Sequence, residues 1–85
     1  MTLARVDLYL GSDLGLWALG QVSPDKVGLV FTLDEEIAAK ARSLGLRCHE
    51  DNVNTTNFEA AKIGLSVHYP KIIRPHIISK YRKLY

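Results

Sequence analysis

The sequence predicts an α/β domain built on a small doubly wound parallel sheet. Three observations carry this. Short apolar runs near 6–10, 27–31, 46–49 and 63–69 alternate with segments whose apolar residues recur at helical spacing. The connections between them are too short for anything but right-handed parallel crossovers. The chain has 85 residues, 47% hydrophobic and 24% charged, which is ordinary globular composition and enough for one small soluble domain.

The elements follow in order. Val6, Leu8, Tyr9 and Leu10 form a strand that stops at Gly11-Ser12-Asp13, a run of turn formers and helix N-caps. Leu14, Leu16, Trp17, Leu19 and Val22 then predict a helix over 13–22, closed by Ser23-Pro24-Asp25. Trp17, flanked by Leu16 and Leu19, is expected in the core. Val27, Leu29, Val30 and Phe31 have the composition of a strand buried on both faces.

Thr32-Leu33-Asp34-Glu35-Glu36 is a helix entry, with acidic residues at the positive end of the helix dipole. Ile37, Ala38, Ala41 and Leu44 supply the apolar stripe of that second helix, Lys40 and Arg42 complement its C-terminus, and Gly45 ends it. Leu46 to His49 is a short third strand. Residues 50–57 are polar and asparagine-rich, the composition of a surface loop, and Asn57 to Ala61 predict one short helical turn.

Ile63, Leu65, Val67 and Tyr69 alternate with Gly64, Ser66 and His68, which predicts a fourth strand with one apolar side. Ile72, Ile73, Ile77, Ile78, Tyr81 and Leu84, with Pro75 in a first turn, predict a last helix over 75–84. The whole is a Rossmann-like sheet of about four strands in the order 3-2-1-4, with helices on both faces. In that order strand 4 is an uncovered edge, so a partner chain, most simply a second copy, is expected to pair with or cover it.

Composition narrows the function classes. The net charge is +2, and Lys71, Arg74, Lys80, Arg82 and Lys83 supply five of the eleven basic residues. Only Tyr69, Tyr81 and Tyr85 stand among them as stacking groups, so this is a solvated helix face rather than a nucleic-acid stripe. Cys48 is the only cysteine, which excludes an internal disulfide and a cysteine zinc cluster and fits a reducing compartment. Arg5 and Asp7 interrupt the N-terminus before a secretory apolar run can form, and no apolar stretch approaches the roughly 18 residues of a membrane span. The expectation is a cytoplasmic protein.

Candidate site residues are few. Gly11 and Ser12 end a strand and open a helix, where backbone amides can hold a substrate phosphate; Asp13 puts a negative charge there and favours a plain helix cap. Cys48-His49-Glu50-Asp51 alternate in direction along a strand, so they do not converge on a metal. His68 falls near the crevice at the C-terminal end of strand 4, where ligands gather in such sheets, and His76 falls in an exposed first helical turn.

The run Val6-Asp7-Leu8-Tyr9-Leu10-Gly11-Ser12, then Val27 to Thr32 and Ala38 to Leu46, resembles the opening of folate-dependent formyltransferases. Ser66-Val67-His68-Tyr69-Pro70-Lys71-Ile72-Ile73-Arg74-Pro75 resembles that family's strand, Ile-Leu-x-Pro-like loop and helix start. The resemblance implies transfer of a formyl group from 10-formyltetrahydrofolate to an amine. It also implies that the main chain of Lys71, Ile72 and Ile73 faces the pterin ring of this cofactor. The Gly11-Ser12-Asp13 turn departs from the purine-pathway branch, leaving an amino-sugar or aminoacyl-tRNA acceptor. In the family a strand with Asn-x-His, then an aspartate, follows the helix matching 75–84. The sequence stops at Tyr85 before them, so the chain is expected to hold no catalytic set. The alternative is a non-catalytic α/β module that works by association with another chain.

Overall fold

A computed structural model describes residues 5–85; the N-terminal reading that involves residues 1–4 lies outside them. Five parallel strands form one sheet in the order β3-β2-β1-β4-β5. They are β1 (Val6–Leu10), β2 (Val27–Thr32), β3 (Arg47–His49), β4 (Ile63–Val67) and β5 (Lys83–Leu84). The helices are α1 (Ser12–Leu19), α2 (Glu35–Ser43) and α3 (Pro75–Ile78). The expected order 3-2-1-4 holds, with a fifth strand added beside β4.

Alternation along β1 and β2 sorts the core into two halves. Leu8, Leu10, Val27 and Val30 join Ala18 and Leu19 of α1 and Ile37 and Ala41 of α2. Tyr9 and Phe31 join Val53, Ile77 and Tyr81, with Phe58, Tyr69 and Ile73 packed around them. The Tyr9 and Phe31 rings stack at 4.6 Å, and Tyr69 and Tyr81 meet Tyr9 edge-on.

Helix α2 follows from its sequence. Asp34 caps it by accepting from the amides of Glu36 and Ile37, and Ile37, Ala38 and Ala41 are fully buried. At its end Leu46 N–H donates to Ala41 O and Gly45 N–H to Arg42 O, with Gly45 at φ 77°. This left-handed closure is the reason glycine stands there.

Helix α1 ends at Leu19, not at 22, and Pro24–Lys26 form a 3-10 turn instead. It faces the sheet through Gly15, Ala18 and Leu19, and Gly15 lets it lie almost against Leu10 and Val67. Trp17 consequently sits on the outer flank and is 63% exposed, not in the core. The expected turn at 57–61 is absent, and a 3-10 turn forms at Val53–Thr55, capped by Asn52. Strand β4 ends at Val67 because His68 has φ 56°, and this break sends Tyr69 to the opposite core from Leu65 and Val67.

The last segment differs most. Helix α3 is one turn long, and Lys83–Leu84 pair with Ile63–Gly64 where a helix over 75–84 was expected. Arg82 N–H donates to Lys62 O, Tyr85 N–H to Gly64 O and Ser66 N–H to Tyr85 O. Backbone groups left open by β4 have more to gain from a strand than from further helical turns. Strand β4 is therefore covered, and the edge on which self-association was expected is absent.

Candidate functional site

Strand β1 connects onward to β2 on one side, and β4 connects to β5 on the other. The C-terminal ends of β1 and β4 thus flank the reversal of strand order, where parallel α/β sheets open a crevice. Gly11 N–H donates to Val67 O at 3.0 Å and holds the two chain ends together. A Cβ on Gly11 would collide with the His68 carbonyl oxygen, so this approach requires glycine.

Beyond Gly11 both chains take unusual turns. Ser12 has φ 59° and His68 φ 56°, left-handed values that are costly for residues with side chains. The two meet, with Ser12 Oγ and His68 Nδ1 3.0 Å apart, both exposed. Among the described residues no third side chain bonds His68, so the pair lacks the orienting acid of a nucleophilic triad. Gly11 caps α1 without a side-chain bond, and Asp13 makes no cap bond.

The second candidate stretch begins at the same end of the sheet. Pro70 Cδ lies 3.2 Å from where a Gly11 Cβ would stand, so Lys71, Ile72 and Ile73 leave directly from the Gly11–His68 contact. Ile72 points outward, 79% exposed, while Ile73 packs into the Tyr9–Phe31 core. Lys71, Arg74 and His76 are exposed on the same segment. Among the described residues the one ion pair is Arg42–Glu50, so neither Lys71 nor Arg74 is neutralised. Lys71 and Arg74 thus place two exposed positive charges on this rim.

Two residues not anticipated from sequence stand out, Asn54 beside the 71–73 segment and Asp7 inside the sheet. Asn54 Nδ2 donates to Ile72 O at 2.6 Å, its Oδ1 accepts from Arg74 N–H at 2.8 Å, and its carbonyl bonds His76 Nε2 at 3.1 Å. The signal was the Asn52-x-Asn54 spacing, since an asparagine side chain accepts from the backbone N–H two residues on in a turn. Asp7 is the second. Buried in β1, it accepts from Leu29 N–H at 2.8 Å, Ala61 N–H at 3.0 Å and the Tyr81 hydroxyl at 2.8 Å. The register slips opposite Asp7, and Gly28 leaves the carboxylate room that a Cβ would take. A charge inside an apolar strand was its signal.

Tyr81 spends its proton on Asp7, so its oxygen accepts from Tyr9, 2.6 Å away. Burial pushes both phenols well above the usual tyrosine range; for Tyr81 the bonds to Tyr9 and Asp7 push the same way. Burial also raises the Cys48 thiol.

No family model, curated protein or solved structure matches the chain. Two open hollows lie away from the Gly11–His68 contact: one of about 540 Å³ beside Phe58 and Lys80, and one of about 880 Å³ bordered by Arg5, Asp7, Arg47 and His49. Neither includes Gly11, Ser12 or Lys71 to Ile73. Among the described residues no three His, Cys, Asp or Glu side chains gather as metal ligands, and no helix is long and apolar enough to cross a membrane.

Proposed function

We propose that the chain is the donor-binding N-terminal part of a folate-dependent formyltransferase. The reaction moves a formyl group from 10-formyltetrahydrofolate to the amine of a nucleotide-linked sugar or an aminoacyl-tRNA, within a doubly wound frame. Lys71, Ile72 and Ile73 take the pterin edge through their main chain, and Gly11 and Ser12 border the acceptor. The observation that supports this most is β5. In the family that the sequence resembles, the strand after the 75–84 segment carries Asn-x-His. Here that segment ends in a strand parallel to β4, with Ser66 N–H on Tyr85 O. Its direction is toward the crevice beside His68 and Ile73.

The chemistry explains the need for that strand. The attacking amine must lose a proton, and the oxyanion formed from the formyl carbonyl needs a donor and a charged neighbour. Ser12 and His68 supply a hydroxyl and an imidazole, but no such set. The chain is therefore inactive by itself and works with a complementing C-terminal segment or another copy, in the cytoplasm. The exposed Leu14, Trp17 and Tyr85 favour a second reading, a non-catalytic module that acts by association.

The test is formyl transfer from 10-formyltetrahydrofolate to an amino-sugar nucleotide, measured for this chain and for the product of its full reading frame. Turnover only where the frame continues into Asn-x-His supports the proposal. Turnover by residues 1–85 alone, or a stop codon after Tyr85, contradicts it.

A further inference from the structure

We infer that Asn54 is a positioning residue for the Lys71–Ile73 segment, holding its main chain in the form that takes a ligand edge; this rests on the proposed function. Between Pro70 and Pro75 the chain has no regular secondary structure. Such a segment would ordinarily satisfy its own polar groups by turning back on itself. It does not, because the Asn54 amide acts as a peptide unit of a neighbouring strand. It donates to Ile72 O and accepts from Arg74 N–H, the carbonyl and amide that an extended chain turns to one side.

The amide can sit only one way round. Its second N–H donates to Asn52 Oδ1 at 3.0 Å, and a flipped amide would present NH₂ to the Arg74 N–H. Asn52 also accepts from Asn54 N–H, so the turn that carries the clamp fixes its direction. The consequence lies one residue along. Arg74 is extended, and the side chains alternate, Ile72 out and Ile73 in. The N–H and C=O of Ile73 therefore face away from Asn54. Among the described residues they make no hydrogen bond to protein. A donor and an acceptor held side by side fit a heterocycle edge with the complementary pair, and holding them in advance removes the entropic cost of ordering the loop on binding.

The experiment titrates the full 85-residue chain, ¹⁵N-labelled, with 5-formyltetrahydrofolate, a stable isomer of the proposed donor. Asn54→Ala, Asn54→Asp and Thr55→Ala are compared with the unmodified chain. Asn54→Asp keeps an acceptor for Arg74 N–H but sets an oxygen against Ile72 O. Thr55→Ala removes the bond from Thr55 Oγ1 to Asn52 O in the same turn and leaves the clamp intact. Shifts of the 70–74 amides should saturate for the unmodified chain and for Thr55→Ala. Binding should weaken at least about tenfold in both Asn54 variants, the size of one to two lost hydrogen bonds. Unchanged affinity in a folded Asn54 variant overturns the inference and leaves the proposed function standing. So does equal weakening by Thr55→Ala, or unfolding of both Asn54 variants, since either marks a purely structural role. No binding by the unmodified chain overturns the proposed function and this inference together.

Discussion

Replacing Tyr81 by phenylalanine removes one oxygen from the buried Asp7–Tyr81–Tyr9 relay and keeps the ring. Two bonds go: the one to Asp7 Oδ2 at 2.8 Å and the one from Tyr9 at 2.6 Å. The bond to Asp7 joins a charged acceptor and is of the class worth about 1.5–3 kcal/mol. The Tyr9 hydroxyl, in a residue with no exposed surface, then has no acceptor, at a cost of about 1–3 kcal/mol. The smaller desolvation demand of phenylalanine offsets part of this, so we expect a net loss of about 2–4 kcal/mol. A chain this short has a total stability of roughly 4–13 kcal/mol, so the variant loses a large share of it. Urea unfolding followed by far-ultraviolet circular dichroism measures the difference, with equal slopes for the two chains. A loss below about 0.5 kcal/mol would show that the relay does not tie the C-terminal segment to β1.

Three further outcomes are expected. Because folding raises the Tyr9 and Tyr81 phenols, the unfolded chain releases those protons first, and stability is complete below pH about 10 and lost as pH rises beyond it. The slope should reach about 1.4 kcal/mol per pH unit for each phenol and fall by one phenol in the Tyr81→Phe variant; a flat profile to pH about 11 would contradict this. Gly11→Ala should cost about 1–3 kcal/mol and shift the His68 and Pro70 resonances, since its Cβ meets the His68 carbonyl; an unperturbed spectrum would refute the contact. Cys48 should react with a disulfide reagent at least about tenfold more slowly in the native chain than in urea, and equal rates would show that its burial is not maintained.

Much of the sheet was legible because its signals are local. Asp34, the Ile37-Ala38-Ala41 stripe and Gly45 each act within a few residues, and α2 forms where they place it. The C-terminal segment was misread because Tyr81 and Leu84 keep a helical spacing while answering to distant partners. Tyr81 reaches Asp7 in β1, and Leu84 lies over Gly64 in β4. Trp17 misled for a related reason: the face of α1 against the sheet is chosen by the small Gly15 and Ala18, which hydrophobicity alone ranks below tryptophan. At the switch between β1 and β4, Gly11 and Ser12 were visible as a strand-to-helix turn. Their contact with His68 joins residues 56 apart in sequence and carries no local signal.

The proposal that the crevice between β1 and β4 takes a reduced folate is tested most directly by amide shift mapping. The unmodified chain would be titrated with 5-formyltetrahydrofolate to several times about 1 mM, the affinity expected where side-chain and downstream contacts are lacking. Amides of 70–74 should move first and saturably, with Asn54 following. Shifts confined to Gly11 to Asp13, to the hollow beside Arg47 and His49, or absent throughout would contradict it.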